Sequence, residues 1–319
     1  MRRSDRLLPA LSSVVLLKGL IVKRYAVPGI RLGGTSFLLH ESYVPAVRFT
    51  AERCEDVALL LLETGARGEY LASPGEVAEI ARILDGEGAT LHVHLPTDVN
   101  FDTPENARAM VDKVRLVAER TAPLHPHSFV LHVDFPSLRK LFSVPETDHA
   151  RYRWTAEALC AIAACLPHPE QLAIENLEHF LPGFWDSWIE GTRYSRCIDV
   201  GHIWKDGGDP ASLLAAWLPR IRVMHLHGLE PCPIELSAER SSPLWFSGAS
   251  TARFPNPGAH PRDHRSLRFM SPERIDAVLH PLWENDFAGV LCLEVFRFDD
   301  FAASHAALLR SRERYEAKA

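Results

Sequence analysis

The stretch RCIDVGH, from Arg196 to His202, joins a short apolar run to an aspartate, a glycine and a histidine. Similar apolar runs recur along the chain and lack the alternation expected of a strand with one face in water. Such continuous runs are typical of parallel strands that are covered on both faces. We predict eight strands, at Gly34–Leu39, Val57–Leu62, Thr90–Leu95, Phe129–Val133, Leu172–Ile174, Arg196–Val200, Val223–Leu226 and Val290–Val295.

Amphipathic segments separate these runs, and several of them begin with a helix-capping signal. Ser73 is followed three residues later by Glu76, which is the spacing of a capping box, and Thr103 and Ser271 each precede a proline. The predicted helices are Pro74–Asp85, a helix from Thr103, Arg151–Cys165, a weaker Phe184–Glu190, Pro210–Leu218, Pro272–Trp283 and Phe301–Glu316.

This alternation of eight strands with up to eight helices favours one fold class, the α/β (β/α)8 TIM barrel. We expect a single barrel domain over residues 31–319 and an N-terminal extension over residues 1–30, whose order the sequence leaves open. Neither GxGxxG nor GxxxxGK[ST] occurs in the chain, so dinucleotide-binding and P-loop folds lose support.

Composition narrows the class of protein further. The chain has 319 residues and a net charge of −6, which argues against a general nucleic-acid binder. Its six cysteines form no CxxC pair, as is usual for reduced thiols in the cytoplasm. The apolar run Leu7–Leu17 follows three arginines as in a secretory signal, but no clear cleavage site follows it, and it is shorter than the ~20 residues that span a bilayer. We therefore predict a cytoplasmic protein without a membrane partner.

Histidines and carboxylates fall at or near the carboxyl ends of six predicted strands, which converge at the mouth of a TIM barrel. When such groups are packed together they need a cation, and His with Asp or Glu suits zinc, manganese or iron. We predict one to three divalent ions per chain. The residues at these ends are His92, His94, His132, Asp134, Glu175, Asp199, His202, His225, His227 and Glu294.

The side-chain period of two in a strand separates these candidates. His92 and His94 share one strand face, as do His225 and His227, so only one residue of each pair need be a ligand. Asp134 follows His132, and we expect it to point away from the pocket as a structural residue.

Three further features flank the predicted mouth. The segment Leu229–Pro261, rich in Pro, Ser and Gly, follows the seventh strand and is either a lid over the mouth or a surface insertion. Next, Arg262–Leu267 combines Asp263 and His264, which suit a metal, with arginines that suit a phosphate; the alternative is a solvated turn. Glu63 ends the second strand and either faces the pocket or has a structural partner.

The residues at the strand ends resemble those of the xylose isomerase-like, AP-endonuclease-type TIM barrel superfamily, and within it the cobamide-remodelling phosphodiesterase family. The likeness covers roughly Gly33 to the C-terminus. Its superfamily elements are Glu175, Asp199-x-Gly201-His202, His225 and Glu294. The motifs that resemble the narrower family are Gly34–Phe37, Tyr43–Arg48, Leu59–Glu63, His94–Asp98, Leu131–His132, Ile174–Leu177, Asp199–His202, His225–Gly228, Asp263–Leu267 and Leu293–Phe296.

This resemblance implies hydrolysis of the phosphodiester in the nucleotide loop of a cobamide, giving a cobinamide phosphate for remodelling and salvage. It also implies up to three metal sites. They would be formed by His94, His132 and Glu175; by Glu175, Asp199, His225 and Glu294; and by His202, Asp263 and His264. DNA-repair members of the superfamily space the last pair as Asp-x-His, whereas Asp263 and His264 are adjacent here, which puts the third site in question.

We assign catalysis to Glu175, Glu294 and His202, and substrate contacts to His92, His227, Arg265, Glu63 and Arg297. The expected partner is a cobamide, and the sequence gives no oligomeric state. The main alternative is a sugar isomerase or epimerase that uses one metal, with Glu175 and Glu294 as acid and base. Such an enzyme does not need the extra ligands His94 and His132. An abasic-site endonuclease would need a basic DNA-facing surface, and a barrel that only binds a corrinoid would release no product.

Overall fold

Ten short strands and nine helices lie along the part of the chain that the structure, a computed structural model, describes: residues 24–63, 65, 68–138, 149–231 and 261–318. The strands are β1 (Arg31–Thr35), β2 (Asp56–Leu60), β3 (Thr90–His94), β4 (Phe129–His132), β5 (Leu172–Glu175), β6 (Ser195–Asp199), β7 (Ile221–Leu226), β8 (Gly228–Glu230), β9 (Arg262–Arg265) and β10 (Val290–Leu293). The helices are α1 (Tyr43–Ala51), α2 (Pro74–Glu87), α3 (Pro104–Thr121), α4 (Ala150–Ala164), α5 (Asp186–Ile189), α6 (Val200–Lys205), α7 (Ala211–Trp217), α8 (Pro272–Glu284) and α9 (Phe298–Glu316).

Eight of these strands form a closed parallel barrel in the order β1, β10, β7, β6, β5, β4, β3, β2. The last barrel strand, β10, pairs with the first, β1, and so completes the circle. The remaining two, β8 and β9, form a separate antiparallel ribbon. The predicted (β/α)8 TIM barrel is therefore confirmed.

The inward faces of the strands decide where the polar side chains lie. Four neighbouring strands contribute a buried apolar cluster inside the barrel, formed by Val130, Ala173, Cys197 and Val223. Because strand side chains alternate, the residue two positions later points to the same side. Those residues are His132, Glu175, Asp199 and His225.

The predicted helix starts are confirmed at three caps. The Ser73 hydroxyl accepts the Glu76 N–H at 3.3 Å, and Glu76 Oε2 accepts the Ser73 N–H at 2.8 Å, which completes the capping box of α2. Thr103 caps α3 and Ser271 caps α8, each accepting a backbone N–H three residues later. These caps satisfy backbone donors that a helix leaves unpaired at its first turn.

The first β/α unit differs from the prediction. Strand β1 ends at Thr35 rather than Leu39, and the chain then turns so that the Leu38 N–H bonds the Thr35 carbonyl. Gly33 and Gly34 belong to the strand. Neighbouring elements approach Gly34 so closely that a Cβ there would lie 3.1 Å from Phe301. Helix α1 was not predicted.

Part of the predicted N-terminal extension packs on the barrel. Val27 and Ile30 are buried, and the Trp283 indole N–H donates to the Pro28 carbonyl at 3.0 Å. The apolar run Leu7–Leu17 and nearly all of the predicted lid Leu229–Pro261 lie outside the described residues. Among the described helices, none is long and apolar enough to cross a membrane.

Candidate metal centre

The carboxyl ends of the barrel strands surround a pocket of about 260 Å³. TIM-barrel enzymes carry their active sites at this end of the barrel. Of the predicted metal ligands, the pocket is lined by His94, His132, Glu175, His202, Asp263, His264 and Glu294. Apolar side chains also line it, among them Leu60, Leu62, Leu177 and Phe296.

Glu175, the last residue of β5, is buried at the centre of the polar cluster. Its Oε2 lies 3.0 Å from His132 Nε2 and 3.4 Å from His94 Nε2. Its Oε1 lies 3.2 Å from His225 Nδ1. The two oxygens thus face different histidines, and the carboxylate lies between two groups of potential ligands.

The second of these groups adds Asp199 and Glu294 to Glu175 and His225, and all four residues are buried. His225 Nδ1 is 3.2 Å from Glu294 Oε2 and 3.9 Å from Asp199 Oδ2. One ligand atom from each residue lies within 4.8 Å of the others, a spacing compatible with a single cation. His94, His132 and Glu175 form an equally close group on the other side of the shared carboxylate.

Positive charge is required here because three carboxylates are buried together. Burial alone would raise the pKa of Glu175 and of Glu294, yet His225 above all, with His132 or His264, holds both pKa values well below the ordinary value. Burial would likewise lower the pKa of His225, but its neighbours, Cys197 first and then Glu294 and Glu175, raise it well above the ordinary value. The histidines balance the carboxylates when protonated, and a divalent cation would do so in their place.

Hydrogen bonds orient two of the histidines as metal ligands usually are. His94 Nδ1 is 3.0 Å from the Leu95 carbonyl, and His202 Nδ1 is 3.0 Å from the Asn176 carbonyl. Each ring therefore donates from Nδ1 and leaves the Nε2 lone pair for a cation, the common arrangement at metal sites. Among the described residues, Asp199 Oδ2 is buried without a hydrogen-bond partner. This donor set fits a divalent cation.

The third predicted site differs from the expectation. His202 and His264 belong to a close group whose third member is His227, which we had assigned to the substrate. Asp263 lies instead against the Lys205 ammonium and in none of the ligand groups found among the described residues. The structure thus does not place Asp263 as a metal ligand, because its carboxylate already has a cationic partner.

The backbone of His264 explains how two adjacent residues reach one pocket. Neighbouring side chains of a strand point to opposite faces. His264, however, has a φ of +50°, in the left-handed region, and both it and Asp263 line the pocket. Its Nδ1 lies 3.0 Å from the Glu294 carbonyl, and its ring stacks on Phe296 with centroids 4.7 Å apart. Such strained backbone is typical of functional sites.

None of the five predicted substrate contacts, His227 included, is among the described residues that line the pocket, and two of them have other partners. His92 is fully buried two residues before the end of β3, and its Nδ1 lies 2.5 Å from Asp56 Oδ1. Arg265 pairs with Glu230 at 2.7 Å and with Asp300 at 3.0 Å, so its charge is already balanced by carboxylates. The structure brings neither side chain to the pocket, because residue type and strand face do not reveal the depth of a side chain or its ion-pair partners.

The remaining predictions have mixed outcomes. Glu63 and Arg297 are not among the described residues that line the pocket, and Arg297 is exposed at the start of α9. Asp134 does line it, contrary to our expectation: it lies two positions after His132, and residues two apart share one side of an extended chain.

Lys205 and Glu178 belong to the site region but were not predicted. The strand prediction ran to Val200, whereas helix α6 begins there and carries Lys205 one turn beyond His202. Residues three apart on a helix lie on the same side. Recognition of this helix would therefore have pointed to Lys205.

The comparisons with known proteins agree with this architecture. A family model described as xylose isomerase-like TIM barrel matches residues 61–316. No curated protein matches the chain. Similar solved structures include a D-tagatose 3-epimerase-like protein (17% identity, TM-score 0.62, 91% of this chain and 99% of that chain) and 3-keto-D-glucoside 4-epimerase from E. coli (11%, 0.57, 89% and 99%). A probable 3-DHS dehydratase from Bacillus anthracis is also similar (13%, 0.58, 88% and 97%). At these identities the neighbours show the fold alone.

Proposed function

The chain belongs to the xylose isomerase-like TIM barrel family, and from this premise we propose that it is a metal-dependent phosphodiesterase that acts on cobamides. The observation that carries the proposal is the position of Glu175 in two ligand groups at once. A carboxylate shared in this way can bridge two cations. Two cations about 3.5–4 Å apart are the arrangement that stabilises both the attacking and the leaving oxygen in phosphoryl transfer.

The two groups divide the donors between them. The residues that would hold the cations are His94, His132 and Glu175 on one side, and Glu175, Asp199, His225 and Glu294 on the other. When bound, such cations lower the pKa of a coordinated water and offset charge on the phosphoryl oxygens. The protein itself fixes the donors on rigid strand ends and, through bonds such as that of His94 to the Leu95 carbonyl, orients their lone pairs.

In the proposed reaction, water attacks the phosphorus of the nucleotide-loop phosphodiester. The bond between phosphorus and the ribose oxygen breaks, that oxygen takes a proton, and the corrinoid keeps the phosphate as a cobinamide phosphate. Glu175, Glu294 and His202 line the pocket and are our candidates for contact with the reacting groups. The pocket of about 260 Å³ is large enough for the phosphodiester, while apolar side chains such as Leu62 and Phe296 offer contacts to the flanking parts of the substrate.

A sugar isomerase or epimerase is the second candidate. The solved structures of similar fold include proteins named as sugar epimerases. The group of Glu175, Asp199, His225 and Glu294 would by itself hold one cation between carboxylates able to serve as acid and base. On this hypothesis His94 and His132 have no metal to bind, so their substitution would leave activity largely intact.

The deciding experiment is incubation of the manganese- or zinc-loaded full chain with adenosylcobalamin, followed by HPLC and mass spectrometry. We expect a cobinamide phosphate whose formation EDTA abolishes. Glu175→Gln, which removes charge from the shared carboxylate at almost constant shape, should lower the rate by at least about 100-fold, as expected when metal binding at a catalytic site is lost.

His280→Gln is a control for this experiment, because His280 lies on α8 beside Asp276 and outside the pocket. It should turn over like wild type. Absence of product with several metals and without oxygen would reject the cobamide proposal, and turnover of a keto sugar by the same protein would favour the epimerase.

A further inference from the structure

The group of charged residues beside the two metal groups contains an ammonium where the family resemblance implies a metal. Lys205 Nζ, at the end of α6, bonds the carboxylates of both Glu178 and Asp263. All three side chains are largely withdrawn from solvent, with exposed fractions of 9% for Lys205, 17% for Glu178 and 15% for Asp263. Both carboxylates line the pocket, so the ion pairs form part of its wall.

The contacts of Asp263 leave little role for it as a metal ligand. The Lys205 ammonium bonds Asp263 Oδ2, so this carboxylate already has a buried cationic partner. A divalent cation at the same position would have to displace the ammonium or lie beside it. A divalent cation and an ammonium bound to the same carboxylate would repel each other strongly, because both charges would be buried.

His227 does not replace Asp263 as a ligand. Its Nδ1 accepts the backbone N–H of His264 at 3.0 Å, so the neutral ring carries its proton on Nε2. That Nε2 lies 3.3 Å from Asp199 Oδ1, within ion-pair distance of the carboxylate. The ring is packed against Gly201, where a Cβ would come within 2.4 Å of three ring atoms. With Nδ1 accepting the His264 N–H and the proton on Nε2, the neutral His227 ring offers no lone pair to a third cation.

We propose that this protein holds two divalent cations and not three, and that the Lys205 ammonium occupies the place of the third. The inference rests on the metal centre of the proposed function but not on its substrate. A fixed ammonium supplies positive charge beside the pocket without a dissociable ion, and it keeps Glu178 and Asp263 from repelling an anionic substrate.

The test counts metal ions in the full chain. The protein is stripped with EDTA, reloaded with MnCl2 and desalted, and the manganese per chain is measured by inductively coupled plasma mass spectrometry and native mass spectrometry. Wild type should hold two ions. Asp263→Asn should also hold two, because Asp263 is not a ligand. Lys205→Met should gain a third, because Glu178 and Asp263 lose their ammonium and Glu178 Oε1 lies 3.9 Å from His202 Nε2.

Lys113→Met is the matched control, since it removes a lysine from an ion pair with Asp98 outside the ligand groups and should leave the count at two. Three ions in wild type, falling to two in Asp263→Asn, would overturn the inference. A single ion in wild type, or no gain in folded Lys205→Met, would overturn it as well. Two ions without cobamide turnover would reject the proposed substrate but leave this inference standing.

Discussion

Gly201 shows how one missing side chain positions the site. It lies in the first turn of α6, and a Cβ there would come within 2.0–2.4 Å of the His227 ring. Alanine is favoured over glycine in a helix by about 1 kcal/mol. The clash should outweigh this gain, because overpacking of a buried site costs about 1–3 kcal/mol.

We therefore expect Gly201→Ala to destabilise the protein by about 1–2 kcal/mol and to weaken manganese binding through the displaced His227–Asp199 contact. Urea unfolding and metal titration would measure the two effects. Gly86→Ala is the control: this glycine is exposed in α2 with nothing within 4 Å of its Cβ position, so the same change should be neutral or stabilising. Equal behaviour of the two variants would contradict the role of Gly201.

At this scale the sequence predicted the residues whose chemistry depends on strand position. His132, Glu175 and Asp199 each end a strand, so the period of two placed them on the inward face. It could not predict that Lys205 meets Asp263, because that contact joins residues 58 positions apart through a ribbon and a helix that the sequence pattern did not reveal.

The helix starts allow a matched test at the scale of single elements. Ser73 caps α2 through its side chain, whereas Ser42 occupies the same position of α1 without a side-chain cap bond. Ser73→Ala should lower the free energy of unfolding by about 1 kcal/mol because it leaves a helix donor unsatisfied. Ser42→Ala should change it by only a few tenths. Chemical denaturation of both variants would decide, and equal losses would show that the cap bond contributes nothing.

A loop histidine between α3 and β4 gives a pH dependence. The Arg222 side chain of β7 donates to the His127 carbonyl at 2.9 Å. Burial first, and then the Arg222 charge, lowers the pKa of His127 to about 4, aided by Arg31 and His92 and opposed by Asp56. The ordinary value is 6.5. The unfolded chain therefore binds the proton more readily, and stability is lost as the pH falls from 6.5 towards 4.

Replacement of His127 by glutamine should remove this part of the acid sensitivity. Because the ring is partly exposed, we expect about 1–2 kcal/mol less loss of stability between pH 6.5 and 4. Urea midpoints across this range would measure it, with the exposed His40→Gln as the control that should follow wild type. A His127→Gln profile parallel to wild type would refute the assignment.

Elements with a clear hydrophobic pattern or a capping signal were predicted from the sequence. Elements whose conformation depends on packing against the barrel were not. Strands such as β2 carry an uninterrupted apolar run, here Val57–Leu60, and helices such as α2 carry explicit caps. Helix α1 contains Pro45 and the β-branched Val44, Val47 and Thr50, a composition closer to that of a strand, and its buried face against the barrel decides its conformation.

For the whole molecule, the metal centre joins distant parts of the barrel. Its candidate ligands come from or directly follow six of the eight barrel strands: β3, β4, β5, β6, β7 and β10. Cations bound there should stabilise the folded chain, since these ligands are brought together only in that state. A ligand at 100 times its dissociation constant contributes about 2.7 kcal/mol, which at about 2–4 °C per kcal/mol corresponds to about 5–10 °C in Tm.

EDTA should lower the Tm by this amount and MnCl2 should restore it, as followed by scanning calorimetry. Glu175→Gln should lose most of the metal-dependent shift because Glu175 belongs to both ligand groups. If that variant kept the full shift, the stabilising ions would have to bind elsewhere.

The barrel was predictable as a whole because its order of elements follows the chain, so local runs in sequence already define neighbours in space. The carboxyl ends of those runs then identified the metal groups without knowledge of any contact. The third group was not predictable, since it depends on the left-handed backbone of His264 and on which partner Asp263 meets.

The ribbon of β8 and β9 has a consequence for how such a protein can change over time. Gly228 pairs with Arg265 and Glu230 with Arg262, so the chain leaves the barrel and returns to it at one place. Segments of different length can be exchanged between residues 231 and 261 at little cost, because closure entropy rises by only about 0.6 kcal/mol per doubling of a loop. Insertions at this ribbon can therefore change the substrate preference, while the candidate metal ligands at the ends of the barrel strands stay in place.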